Sequence, residues 1–403
     1  IIMKILFLAP RLPFPTDTGA KIRTYNIIKQ IAKKHEVHLV CFSFDEKDEQ
    51  YTRVWGLDNV HVDLVPVKEP SFLQKVFTVL FHVQPFSIAK YYSKEFEQKL
   101  IEIKAQEKYD LVHIDHLHMA HYQILFTNFP CVLDEHNVEF RILERCAKVE
   151  ESFIKKTLYE QQAQKMKAFE RRAVKFFATT TCVSADDKKL LDDVTTEKCM
   201  VDIIPNGVDT EFFATNKEGE SLHLEEALVF TGSMDWLPND DAVVYFAQEI
   251  LPLIWQKNKN VTFYVVGRNP SKRIQDIASN EPRIIVTGRV DDVREYIHRS
   301  KIFIVPIRIG GGTRLKILEA MSMEIPVVST SVGAEGIKYT NGSDIMIADD
   351  PQIFAEAVLL LLEDGMKCQA IGRKGRELVC NTYDWSILGK RLLGIYEQLT
   401  QTR

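Results

Sequence analysis

The stretch 302–329 constrains the fold more than any other part of the chain. An apolar run, Ile302-Phe303-Ile304-Val305, stops at Pro306 and reads as a short buried strand. Gly310-Gly311-Gly312-Thr313 then opens a segment of good helix formers, Arg314 to Met323, and Ile325-Pro326-Val327-Val328-Ser329 reads as a second strand. Strand, glycine turn, helix and strand make the unit of a parallel sheet, with ligand at the strand's carboxyl end. Glycines such as Gly311 and Gly312 let backbone amides come close to a ligand, and the free N–H groups of a helix's first turn attract anions. Arg314 and Lys316 add positive charge, and an arginine can grip phosphate oxygens in bidentate fashion. Glu319, one to two turns on, would repel phosphate but accepts hydrogen bonds from sugar hydroxyls. Phosphate at the helix mouth and ribose beside the helix is the pattern of a nucleotide-diphosphate site. The plainer reading is a turn that packs a helix on a sheet, with solvated charges.

At 403 residues the chain exceeds one comfortable core, so two domains are expected. A hydrophobic content of 45% with 27% charged residues is ordinary for a soluble globular protein, and a net charge of -5 gives no case for nucleic acid. Seven scattered cysteines without CxxC pairs point to a reducing cytoplasm rather than a disulfide framework. No apolar run of membrane-spanning length and no cleavable leader is evident, so the expectation is a cytoplasmic protein, neither integral nor secreted.

The chain opens with Met3 to Pro10 as a buried strand, a proline-glycine loop to Ala20, a helix from about Lys21 to Lys34, and a strand at Val37–Phe42. A doubly wound half therefore begins at residue 3. Neither GxGxxG nor GxxxxGK[ST] is present, which lowers the dinucleotide and P-loop readings. The stretch 68–100 is rich in Phe, Tyr and Lys, and 141–175 carries ten Lys/Arg against five Asp/Glu at helical periodicity. Both read as helices with solvated faces, or, more sharply, as surfaces that touch a membrane. Four histidines crowd 113–121 after an apolar strand, but their spacing fits neither HExxH nor a zinc finger, so no metal is expected. Pro130 to Asn137 reads as a strand whose carboxyl end presents Asp134, Glu135 and His136. Asn206-Gly207 is a turn former, and Thr215–Glu226 reads as an interdomain linker. Strands at 227–233, 261–268 and 284–290 then repeat the parallel pattern, with Arg268 at the carboxyl end of the second.

GGGTRLKILEAM, followed by PVVST and GAEGI, resembles the donor-binding segment of family 4 retaining glycosyltransferases, which have the GT-B fold. The resemblance extends over nearly the whole chain. It implies α/β architecture with two doubly wound, Rossmann-like parallel-sheet domains facing across a cleft. The acceptor-side domain would span 1–205 and the nucleotide-sugar domain 206–384, with the helix 385–403 packing back on the first. Residue by residue, Gly19 matches a glycine loop that closes over the donor diphosphate, and His136 a histidine that contacts the donor sugar. Glu319 matches the second of two glutamates eight positions apart, the one that contacts the ribose. His113 and Asp115 lie in a histidine-bearing segment at the acceptor side, and Asn206 to Asp209 matches the family's NGVD hinge signature.

Two departures bear on mechanism. Gly311 stands where the first glutamate belongs, and GSMDWLPND, at 232–240, lacks the Arg and Lys that bind diphosphate in the commoner pattern. Positive charge must then come from elsewhere: Arg314 and Lys316 first, with Gly311, Gly312 and Thr313 lining the turn, then Arg268 and Arg308. The implied reaction moves a sugar from a nucleotide-diphosphate donor to a glycan or lipid-linked acceptor, with retention, no cofactor and no DxD-bound metal, in cell-envelope or exopolysaccharide synthesis. Peripheral contact with the inner membrane face would suit such an acceptor. The competing readings are a sugar-nucleotide epimerase of the same fold and a non-catalytic nucleotide-sugar-binding protein.

Overall fold

A computed structural model of the chain describes residues 2–67, 84–150, 152–195, 199–215, 225–309 and 312–401. The chain divides into two compact units, Ile1–Pro205 with Leu388–Arg403, and Asn206–Ile387. Most of the aromatic stretch 68–100, most of the linker and Gly311 itself fall outside the described residues.

The first unit is built on seven strands: β1 (Lys4–Ala9), β2 (Glu36–Ser43), β3 (Val60–Pro66), β4 (Leu111–Asp115), β5 (Cys131–Asp134), β6 (Thr179–Cys182) and β7 (Val201–Ile203). They pair in parallel in the order β3-β2-β1-β4-β5-β6-β7. Central β1 is buried from Ile5 to Ala9, because a parallel strand covered on both faces needs a continuous apolar run. Edge strand β3 instead interleaves Val60, Val62 and Leu64 with His61 and Asp63, as a strand with one wetter face does. The helix Gly19–Ala32 follows β1. Thr18 caps it by accepting from Lys21 N–H, and Ile27, Ile28 and Ile31 bury its inner face. The basic stretch 141–175 falls in two helices, Glu139–Val149 and Phe153–Phe176.

The second unit has six strands: β8 (Glu225–Thr231), β9 (Thr262–Val266), β10 (Ile284–Gly288), β11 (Ser300–Val305), β12 (Val327–Ser329) and β13 (Met346–Ile347). All pair in parallel, in the order β10-β9-β8-β11-β12-β13. The helix after the glycine turn spans Leu315–Ser322 with Arg314 as its N-cap residue. Asn206-Gly207-Val208-Asp209 enters this unit, where Val208 N–H donates to the Tyr383 carbonyl at 2.9 Å.

The helix Trp385–Gln401 leaves the second unit and, from Leu388, belongs to the first. There the Arg391 guanidinium donates to the Ile203 carbonyl at 2.8 Å. Tyr396 Oη lies 2.6 Å from His113 Nδ1. Both sheets share one topological device: the first strand sits between the second and the fourth, so chain progression reverses beside it. That reversal opens a crevice at the carboxyl ends of β1 and β4, and of β8 and β11.

Candidate active site

At the switch point of the first unit, β4 and β5 end side by side on Asp115 and Asp134, which are register partners. Both carboxylates are buried, and each has a named partner. Arg23, from the first helix, grips Asp134 with two hydrogen bonds of 2.9 and 2.7 Å and also donates to the Pro205 carbonyl. Thr24 donates to Asp115 at 2.9 Å. His136 Nε2 lies 2.8 Å from Asp115 and 3.4 Å from Asp134. Burial alone would lower the His136 pKa, but the two carboxylates outweigh it and raise it to about 9. The cluster thus balances two cations, Arg23 and His136, against two carboxylates.

Burial, reinforced by the charge on His136, sets the state of the neighbouring histidines. His116, held at φ 70, sets its ring 3.6 Å from that of His136, tilted by 34°. Burial and the adjoining cation push His116 down to about 3 and His118 to about 4, so both are neutral at pH 7. Asp115, His116 and His118 line a cavity of about 200 Å³ together with Pro10, Thr18, Lys21 and Tyr91. His136 lies one ring deeper. Its Nδ1 has no hydrogen-bond partner among the described residues, which leaves one N–H to donate. Asp115, His116 and His136 could also hold a metal ion.

In the second unit the turns after β8 and β9 interlock. Gly232 N–H donates to the Val266 carbonyl, and a Cβ on Gly267 would lie 1.7 Å from the Gly232 carbonyl oxygen. Lys316 reaches into this turn from its helix. Its ammonium donates to Asn239 Oδ1 at 3.0 Å and stands 4.0 Å from the centre of the Phe230 ring. A Cβ on Gly232 would come within 2.8 Å of that ammonium. Burial and the nearby Arg314 lower Lys316 to about 7, while burial raises Glu319 to about 7. Gly312 takes the left-handed φ of 84, and Thr313 Oγ1 is buried without a hydrogen-bond partner among the described residues. The turn thus carries one buried hydroxyl without a partner among the described residues, and the helix after it a lysine whose charge burial weakens.

Residues 225–364 match the model of glycosyl transferases group 1, and residues 18–212 match that of glycosyltransferase family 4. The chain belongs to the group 1/family 4 glycosyltransferases. It is 22% identical over 370 residues to an uncharacterised 44.6 kDa protein in the cps region of Klebsiella pneumoniae, covering 88% of this chain and 90% of that one. It is 25% identical to the UDP-Gal:α-D-GlcNAc-diphosphoundecaprenol α-1,3-galactosyltransferase of Escherichia coli, over 66% of this chain and 69% of that enzyme. In structure it resembles the sucrose-phosphate synthase of Thermosynechococcus elongatus, with a TM-score of 0.71 over the whole of both chains at 15% identity. Fold and neighbours identify the GT-B architecture.

Within this glycosyltransferase, the expected site residues do not all fall together. His136 and Asp115 sit together at the first switch point, and Gly19 opens the helix beside the cavity there. Gly312, Thr313, Arg314, Lys316 and Glu319 gather along the turn and helix after β11, while Arg268 donates to Ser233 at 2.8 Å beyond β9. Arg308 is committed elsewhere, bound twice to Asp241 and stacked on Tyr245. His113 is a core residue. It is fully buried in the middle of β4, stacked on Phe7 and bonded through Nδ1 to Tyr396, while Nε2 has no hydrogen-bond partner among the described residues. The sequence reading missed Arg23, Thr24 and Asn239 altogether. It saw Asp134, His116 and His118 only as parts of strand ends and a histidine run.

Proposed function

We propose that this glycosyltransferase moves a hexosyl group from a nucleoside-diphosphate sugar to a glycan or lipid-linked acceptor in cell-envelope polysaccharide synthesis, with retention of configuration and without a metal. The observation that carries the reading is the Lys316 ammonium at the Gly232 turn, where the first-turn Arg and Lys of the commoner pattern are missing. Breaking the anomeric bond releases a nucleoside diphosphate as the sugar gains oxocarbenium character. Lys316, Arg314 and the N–H groups at the mouth of the helix Leu315–Ser322 stabilise the departing charge, and Glu319 receives the ribose hydroxyls. The leaving phosphate takes the acceptor's proton as the new bond forms on the same face, so no protein base is required. His136, already charged, donates from Nδ1 to the donor sugar and orients it; it is neither base nor nucleophile. Gly19 and the cavity at Asp115 and His116 serve the sugar and acceptor side.

The acceptor class rests on the galactosyltransferase relative, whose name specifies a diphosphoundecaprenol-linked sugar. No described helix is long and apolar enough to cross a membrane. We place the reaction in the cytoplasm, with the basic helix Phe153–Phe176 meeting the membrane face through exposed Phe153 and Ile154. The deciding experiment is thermal stabilisation by UDP, GDP and ADP and their sugar conjugates, with chelator and then with magnesium. One nucleoside diphosphate should raise Tm strongly in chelator, and Lys316→Met should abolish the rise. No shift from any nucleotide, or a shift that requires magnesium, overturns the donor site as described.

A further inference from the structure

We propose that His38, His61 and Asp63 bind one divalent transition-metal ion of the zinc class, on the edge of the first sheet. The site lies toward the amino ends of β2 and β3, away from the carboxyl ends that carry the candidate active site. It is independent of the reaction proposed above.

The placement follows from the sheet. His61 and Asp63 are alternate residues of edge strand β3 and so share a face, and His38 is the register partner of His61 on β2. The three side chains converge on one point. Asp63 Oδ2 lies 3.0 Å from His38 Nε2 and 3.9 Å from His61 Nε2. One donor atom from each residue lies within 4.8 Å of the other two. Tetrahedral zinc, with bonds of roughly 2.0–2.1 Å, sets its ligand atoms about 3.4 Å apart. A small swing of His61, the one exposed member, closes the set.

The hydrogen-bond polarity around His38 points to a cation. The Glu107 carboxylate is paired with the Lys4 ammonium at 2.8 Å, so it accepts. Tyr109 therefore gives its single proton to Glu107, at 2.9 Å. His38 Nδ1, 2.6 Å from the same hydroxyl oxygen, must then be the donor, which leaves the lone pair of the neutral ring on Nε2. That lone pair faces the Asp63 carboxylate, so two acceptors stand 3.0 Å apart with a positive charge required between them. A second proton on His38 would answer Asp63 alone and leave His61, 3.9 Å from the same carboxylate oxygen, unengaged. A metal ion supplies it and engages His61 as well. The supporting groups are in place. Tyr109 and Glu107 fix the His38 tautomer, and Lys99 holds Asp63 Oδ1 at 3.0 Å, turning Oδ2 toward the histidines. Two imidazoles and one carboxylate select zinc-class ions over calcium or magnesium. The ion would tie the edge strand to its neighbour.

The test uses the full chain, stripped with chelator and titrated with Zn²⁺ and, as a spectroscopic probe, Co²⁺. We expect one equivalent bound with a tetrahedral Co²⁺ absorption band and a raised Tm. His61→Ala and Asp63→Asn should each lose that equivalent, and Tyr109→Phe should weaken it roughly tenfold. His61 is 69% exposed at its side chain, so its replacement leaves the apo fold and sugar transfer intact. Zinc binding of unchanged stoichiometry and affinity in both His61→Ala and Asp63→Asn overturns the proposal, as does the absence of any zinc equivalent in the wild type.

Discussion

Replacing Asp115 by Asn tests whether His136 works as a cation. In the wild type the His136 pKa rises from an ordinary 6.5 to about 9. That rise equals a preference of about 3 kcal/mol for the charged ring. Folding therefore gains this stabilisation in full below pH 6.5 and loses it as pH climbs through 9, so the sensitive window runs from pH 6.5 to 9. Asp115→Asn removes the carboxylate at 2.8 Å, and the remaining one, Asp134, is already gripped by Arg23. An unpaired buried cation costs about 3–5 kcal/mol, more than the ring loses by releasing its proton at neutral pH. His136 should then be neutral at pH 7. Nitrogen NMR of the imidazole should show its titration moved well below 9, and the pH 6.5–9 slope of stability should flatten. Turnover at pH 7.5 should fall by about 10²-fold, the usual loss of one charged donor at a reacting centre. The basic limb of the kcat profile, taken at saturating donor so that titration of free Lys316 does not enter, should move down with the ring. A variant that keeps wild-type turnover, with its basic limb still near 9, would refute the assignment of a charged His136.

Lys316, lowered to about 7, must take up a proton when a diphosphate binds, so affinity should be highest below pH 7 and weaken by up to about tenfold per pH unit above it. Calorimetry in buffers of different ionisation enthalpy measures that uptake; Lys316→Met should weaken binding by about 10–100-fold and remove the slope, with Glu319→Gln separating the second group that titrates near 7. Gly267→Ala sets a Cβ 1.7 Å from the Gly232 carbonyl oxygen, and because both partners are backbone the turn must move. We expect a loss of about 1–3 kcal/mol by urea unfolding together with weaker nucleotide binding, and an unchanged midpoint would show that the turn is not tightly interlocked. Flotation on anionic vesicles should be salt-sensitive and lost in the doubly substituted Phe153→Ser, Ile154→Ser chain, while transfer to a soluble acceptor persists; equal flotation of that variant would remove the helix Phe153–Phe176 from the membrane face.

What the sequence revealed follows from how local each signal is. The glycine turn, Lys316 and Glu319 occupy ten consecutive positions, so one supersecondary unit carries its own chemistry and needs no distant partner to be read. Most strands of the two sheets were legible for the same reason, as apolar runs ended by Pro, Gly or polar clusters, but β3, β7 and the two-residue β13 were not read. The charge on His136 was not legible. It depends on Asp115, 21 residues away, and its companion Asp134 depends on Arg23, 111 residues away. Those contacts exist only because β1 lies between β2 and β4, which brings the first helix over the ends of β4 and β5. His113 shows the converse error: its histidine-rich context suggested a ligand, but it lies two residues back from the carboxyl end of β4, in the core against Tyr396 from the far end of the chain. Asn239 was hidden in the very segment where the missing cations were noticed. The first-turn Arg and Lys are gone, but the turn keeps an amide that accepts from Lys316, so the charge is delivered from the next switch-point helix instead of from the turn. Under the proposed donor site, that change of source lets the chain present one cation at the Gly232 turn without the two that the family pattern supplies there, with Asn239 holding it in place.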